Sequence, residues 1–217
     1  VTPAKYDTLI VDWGGVLTTS LNDAVAAWAD RRGVRLSDYF EVMRQWLGDA
    51  GGMEAVFNPI HALERGEMEI PHFEEHLAEA LTRVSGHEVV SEGLVEEMFE
   101  FFDHAPDMNG LVHRAKQQGL RTALLSNSWG NSYPRDGWDD MFDAVVISGE
   151  VGMRKPEHRI YHHTLELLDA PAESSVFVDD LVHNVAAAEE LGMAGVVHSS
   201  YEETLVILEE KLGVSLS

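Results

Sequence analysis

The sequence contains no cysteine, which excludes disulfides, thiol nucleophiles and zinc sites built on thiolates, and suits a reducing compartment. Positive charge is scarce too. Fifteen Lys and Arg stand against 38 Asp and Glu, and the resulting formal charge of -23 repels phosphate backbones and anionic membrane surfaces. Neither nucleic acid nor membrane is expected as a partner. No apolar run approaches the roughly 18 residues of a membrane span, and the N-terminus shows no basic-then-apolar leader pattern, so a cytoplasmic location is expected. Internal repeats and low-complexity segments are absent as well.

What remains is a globular composition, 45% apolar over 217 residues, long for one core and short for two. One domain with an insertion is the natural expectation. The run Leu9 to Val11 reads as a buried strand that delivers Asp12 to its C-terminal edge and breaks at once on Gly14-Gly15. From there to about Val95 the pattern is helical without a convincing strand. A helix from Asn22 to Arg32 stops at Gly33; Ser37 is placed to cap the next, in which Phe40, Met43 and Leu47 share a face; Asp49 to Gly52 is a loop. A short helix, Pro59 to Arg65, closes on Gly66, and Pro71 opens another whose Phe73, Leu77, Leu81 and Val84 recur at helical steps.

Beyond Glu92 helix and strand alternate. Strands are expected at Arg121 to Leu125, Ala144 to Ile147, Ser175 to Val178 and Gly195 to His198, and helices at Met108 to Gln118, Glu157 to Leu168, Asn184 to Leu191 and from a capping box at Ser200 to Lys211. Such alternation implies a Rossmann-like parallel α/β sheet with helices on both faces, whose functional groups gather beyond the carboxyl ends of the strands. The expected division is a core of residues 1–17 and 96–217 and an all-helical insertion of 18–95.

The groups at those strand ends are Asp12, Ser126 and the pair Asp179-Asp180, with Lys155 on the loop Gly149 to Pro156. Three carboxylates and one lysine at a single edge repel one another unless a hard divalent cation joins them. Magnesium favours one or two carboxylates, carbonyls and waters, so Asp12, Asp180 and the carbonyl of Gly14 make an ordinary set. Lys155 and Ser126 then serve an anionic group, with Asp12 free to attack through its second oxygen. The spacing His72-x-x-Glu75-His76 matches one class of zinc peptidase, but Phe73 and Leu77 account for that helix's buried stripe and no third-ligand motif accompanies it. Trp129 and Trp138 flank the loop after Ser126, either lining a pocket or packing under the loop.

Four stretches in order carry a resemblance: Asp12-Trp13-Gly14-Gly15-Val16-Leu17, Leu124-Leu125-Ser126-Asn127, Arg154-Lys155-Pro156, and Val176-Phe177-Val178-Asp179-Asp180 continuing to Asn184. Together they resemble the haloacid dehalogenase-like (HAD) hydrolases, in the branch whose helical cap is inserted just after the first motif. The resemblance implies a magnesium-dependent hydrolase acting on a small phosphate ester, with Asp12 as nucleophile, Ser126, Asn127, Lys155, Gly14 and Gly15 around the transferring group, and Asp12, Asp180 and the Gly14 carbonyl on the metal. Asp179 stands where many members have glycine and is expected to support the metal site. Asn184 replaces a frequent second acid and is expected to orient Asp180 or a metal-bound water.

The departure is Gly14, where family phosphatases carry the Asp that protonates the leaving oxygen and later activates water. Loss of one such group typically costs about 10²- to 10⁴-fold. Two readings compete with phosphatase: a binding or regulatory protein with weak or lost turnover, and a non-phosphate hydrolase such as a dehalogenase, against which the paired acids at 179 and 180 argue. A Schiff-base mechanism like that of phosphonoacetaldehyde hydrolases fails because residues 18–95 contain no lysine. The apolar face of the insertion would pack on the core or on a second subunit, which leaves a homo-oligomer open.

Overall fold

The computed structural model describes residues 6–47, 58–130 and 133–217. Its centre is β1 (Thr8–Val11), four residues all buried. A strand covered on both faces must be apolar on both, and Leu9 and Val11 enter one cluster while Ile10 enters the other. Around it lie β2 (Arg121–Ser126), β3 (Ala144–Ile147), β4 (Ser175–Asp179) and β5 (Ala194–Val197). All pairings are parallel, in the order β3-β2-β1-β4-β5, and Val11 is level with Leu124 on one side and Val178 on the other. The chain therefore builds outward from β1 twice, in opposite directions, and the crevice beyond the carboxyl ends of β1 and its neighbours is the topological switch point.

Between β1 and β2 come α1 (Leu21–Arg32), α2 (Leu36–Leu47), α3 (Pro59–Glu64), α4 (Ile70–Ser85), α5 (Leu94–Phe99) and α6 (Pro106–Gln117). After β2 follow the single turns α7 (Trp138–Met141) and α8 (Ser148–Val151), then α9 (His158–Leu168), α10 (Val182–Glu190) and α11 (Tyr201–Leu212). Leu111, Val112 and Ala115 of α6, with Leu208 and Leu212 of α11, cover one sheet face. Ile160, Tyr161 and Leu165 of α9, with Ala187 and Ala188 of α10, cover the other. The first five helices share a separate apolar cluster centred on Trp28, Val42, Phe73, Leu77, Leu81 and Met98.

Several expectations are corrected. Ser37 lies inside α2, whose first turn bonds to the Arg35 carbonyl instead, and the buried face is Tyr39, Val42 and Met43, while Phe40 and Leu47 are exposed. The loop Gly149 to Pro156 begins inside the one-turn α8. No separate helix was expected at α5, whose six residues are too few to show a period. The loop Asp49 to Gly52 lies outside the described residues. Asn58, just after the gap, caps α3 by accepting from Ile60 and His61 and donates to the Trp46 carbonyl at 2.8 Å.

The helical segment sits directly on the core near the strand ends. A Cβ at Gly66 would lie 2.6 Å from the Gly149 carbonyl oxygen, and one at Gly130 would lie 2.6 Å from Ile70 Cδ1. Trp129 packs edge-on against Phe73 at 5.3 Å. Arg65 reaches Glu157 at 2.7 Å, and Glu64 pairs with Arg154, their side chains only 9% and 11% exposed. A buried pair broken from one side leaves the other charge without compensation. Glu64→Leu is therefore expected to cost about 3–5 kcal/mol in denaturant unfolding, with most of it restored in Glu64→Leu/Arg154→Met. A double variant as unstable as the single one would refute this account of the contact.

Candidate active site

Asp12 follows β1 without leaving the sheet. Its N–H donates to the Val178 carbonyl at 2.9 Å, which fixes the backbone to β4. One carboxylate oxygen accepts from the Trp13 N–H at 2.7 Å and lies 2.8 Å from Lys155 Nζ, leaving the second oxygen for chemistry. The chain then turns tightly, with Leu17 N–H bonded to the Trp13 carbonyl.

The two glycines of that turn are there for different reasons. Gly15 has φ of +75°, and a Cβ on it would lie 2.8 Å from Asp180 Cγ, so only glycine leaves room for that carboxylate. Its N–H donates to Thr18 Oγ1 at 3.1 Å, a partner within the turn. Gly14 carries no positive φ, and among the described residues a Cβ there would meet only Phe102 Cε1, at an ordinary 3.8 Å. A side chain at position 14 is sterically admissible.

Asp179 ends β4 and is fully buried. It accepts from Lys155 Nζ at 2.6 Å, from the Leu181 N–H at 2.9 Å, and from Asn184 Nδ2 at 3.1 Å to each oxygen. Asn184 thus holds Asp179 rather than Asp180, and its Oδ1 is buried without a partner among the described residues. Lys155, 1% exposed, bridges Asp12 and Asp179. Its main chain is gripped by Asn127, whose Oδ1 accepts from the Lys155 N–H at 2.8 Å while Nδ2 donates to the Lys155 carbonyl at 3.0 Å. That side-chain amide is committed to the lysine loop, so Asn127 positions Lys155. Ser126 Oγ lies 2.8 Å from the Tyr133 hydroxyl.

One oxygen each from Asp12, Asp179 and Asp180 lie within 4.8 Å of one another. With Asp179 occupied by Lys155, Leu181 and Asn184, the carboxylates available to a cation are Asp12 and Asp180. Such an all-oxygen set, with the orphaned Asn184 Oδ1 on the same network, suits a hard ion of the magnesium type. The electrostatics agree. Burial pushes the Asp12 carboxyl up to about 7 against the pull of Lys155, with Asp179 and Asp180 adding to the rise. Burial, then Asp179, raises Asp180 to about 6. Lys155 is held above the usual lysine value because Asp12 and Asp179 together outweigh its burial.

The zinc-like spacing forms no centre: His72 and His76 are exposed on α4 while Phe73 and Leu77 are buried. Trp129 donates to Glu64 and Trp138 is buried under its loop. Sequence reasoning missed Tyr133 and the pairing of Glu64 with Arg154. Nothing local to either marks it, since both depend on contacts between segments far apart in the chain.

Comparison with known proteins agrees with this arrangement. A family model described as haloacid dehalogenase-like hydrolase matches residues 6–192. A sesquiterpene phosphatase of Aspergillus oryzae is 32% identical over 111 residues, 49% of this chain and 56% of that one. The phosphoglycolate phosphatase of Psychrobacter arcticus is 24% identical over 85% of this chain and 80% of its own. The chain spans about half or less of the length of several curated relatives it matches. Among solved structures, a HAD family enzyme from Bacteroides thetaiotaomicron in complex with magnesium and inorganic phosphate superposes with a TM-score of 0.62 at 18% identity, covering 92% of this chain and 98% of that one. A dehalogenase superposes with a TM-score of 0.66 at 18% identity, covering 94% and 97%. At these identities the two structures share the fold.

Gly15→Ala is expected to displace Asp180 and lower magnesium affinity by about 10- to 100-fold in calorimetry, in a chain whose circular dichroism is unchanged. Unaltered affinity would show that Asp180 is no ligand. A second expectation concerns pH. Between about 4 and 7 the metal-free folded chain keeps protons on Asp12 and Asp180 that the unfolded chain has released, so their contribution to stability falls as pH rises. Magnesium selects the ionised carboxylates, so the rise in Tm on adding it should grow across the same window. An equal rise at both ends would contradict the assignment.

Proposed function

Because the chain belongs to the haloacid dehalogenase-like hydrolases, and is itself a hydrolase, we propose that it cleaves a small phosphate monoester with Asp12 as nucleophile. The observation that carries this is the placement of Asp12: one oxygen held by Trp13 and Lys155, the other free, inside a three-carboxylate cluster. Asp12, Asp180 and the carbonyl of Gly14 would hold magnesium, which when bound neutralises charge on the transferring group. Lys155 and Ser126 face the phosphoryl oxygens, and Gly14 and Gly15 leave the approach to Asp12 open. Tyr133 and Asn127 orient Ser126 and Lys155, and Asp179 fixes the ammonium. Residues 18–95 act as a cap over the crevice, and the protein works in the cytoplasm.

The free oxygen of Asp12 attacks phosphorus, the ester oxygen departs, and water hydrolyses the resulting aspartyl phosphate. Two named phosphatases among the relatives support phosphate as the substrate group, and the magnesium and phosphate complex of a structural neighbour supports the metal. The dehalogenase likeness is one of fold, and the Asp179-Asp180 pair favours the metal-assisted reaction.

Purified protein with magnesium is expected to hydrolyse members of a phosphate-ester panel, and Asp12→Asn to abolish that turnover; a silent panel together with an inert Asp12→Asn substitution would sink the reading. Gly14→Asp, which the backbone admits, is expected to raise turnover of alkyl esters by about 10²- to 10⁴-fold. A nearly silent parent awakened by that change would favour the regulatory alternative, in which the site binds without efficient turnover.

A further inference from the structure

The space beside the nucleophile is bounded by rings. Trp13, next to Asp12, stacks on Phe102 at 5.6 Å and on Phe99 at 6.1 Å, with interplanar angles of 28° and 27°. Phe99 and Phe102 lie 5.4 Å apart, and Tyr133 meets Trp13 edge-on at 4.9 Å. Phe99, Phe102 and Tyr133 are each partly exposed. Apart from the chain neighbours of Gly14, Phe102 is the one group among the described residues within 4 Å of the position a Gly14 Cβ would take. Where a proton donor for the leaving oxygen would stand, the described residues present a phenyl edge.

Two physical demands on the substrate follow. First, with Gly14 offering no side chain and no donor beside it among the described residues, the leaving oxygen departs without a proton. An alkoxide is as basic as hydroxide, whose parent acid has a pKa of about 15.7, whereas a phenoxide corresponds to about 10. Second, the group that departs must sit against an apolar aromatic wall, which favours a flat ring in offset or edge-on contact. Resting on the phosphatase reading above, we infer that the substrate is an aryl phosphate, a monoester of a phenol-type hydroxyl.

The step balances without an added acid. The second oxygen of Asp12 bonds to phosphorus as the phosphorus–aryl oxygen bond breaks, and the aryloxide leaves with the electron pair and takes its proton from solvent. Water then adds to phosphorus, the phosphorus–Asp12 bond breaks and the carboxylate is regenerated. The net reaction converts ester dianion and water into phenol and hydrogen phosphate.

The test is a leaving-group series with magnesium present, in which substituted phenyl phosphates are compared with fluorinated alkyl phosphates matched in leaving-group pKa. The expected result has three parts. The value of kcat/KM falls steeply as leaving-group pKa rises, the aryl ester is preferred at matched pKa, and Gly14→Asp flattens the slope. Phe102→Leu, which keeps apolar bulk without a ring, is expected to reduce the aryl preference by about tenfold. Turnover with a shallow slope, or equal use of aryl and alkyl esters at matched pKa, overturns the aryl assignment and leaves the phosphatase reading standing. No turnover of any ester overturns both.

Discussion

Lys155 Nζ lies 2.8 Å from Asp12 and 2.6 Å from Asp179, almost sealed from water, and much of the site's geometry follows from the need to satisfy that one ammonium. A buried charge is tolerated only when paired and hydrogen-bonded. The two carboxylates come from neighbouring parallel strands whose register sets Val11 level with Val178, so Asp12, one residue beyond β1, and Asp179, the last residue of β4, reach the same height. The lysine arrives from a loop with no fixed strand of its own, and Asn127 supplies the missing constraint through a two-point grip on its main chain. Asn184 and the Leu181 N–H do the same for Asp179. Strand ends, loop and following helix are thereby held by a single charge network.

That network also explains why the carboxylates divide their labour. Three acids share one ammonium, and the one with the most donors, Asp179, is the most fully compensated. Asp12 and Asp180 have fewer donors, and burial, with the neighbouring acids adding to it, raises both above ordinary carboxylate values. A divalent cation held by that cluster would supply the missing positive charge.

Much of this was legible in the sequence because it depends on local pattern. An apolar run broken by Gly14-Gly15, a capping box at Ser200 and helix–strand alternation beyond Glu92 identify elements whose ends fall within a residue or two of the observed ones. The resemblance of four motifs placed Asp12, Ser126, Lys155 and Asp180 at one edge, where they lie. What was not legible depends on side-chain direction or distant contact. The face of α2 was misread by one residue, since Phe40 and Leu47 fit a helical period as well as Tyr39 and Val42 do. The grip of the Asn127 side chain on Lys155 could not be foreseen, because nothing nearby reveals that its partner is 28 residues on. Glu64 and Arg154, 90 residues apart, could be joined only by the docking of the helical segment on the core.

Gly14 and Gly15 are adjacent and chemically identical, yet the structure gives them unequal evolutionary freedom. Position 15 is closed, because any side chain would displace Asp180 and the backbone there sits in the left-handed region. Position 14 has ordinary space and ordinary backbone. The acid that family phosphatases carry at that position therefore meets no steric barrier among the described residues. A lineage under selection for alkyl esters could acquire it without rebuilding the turn.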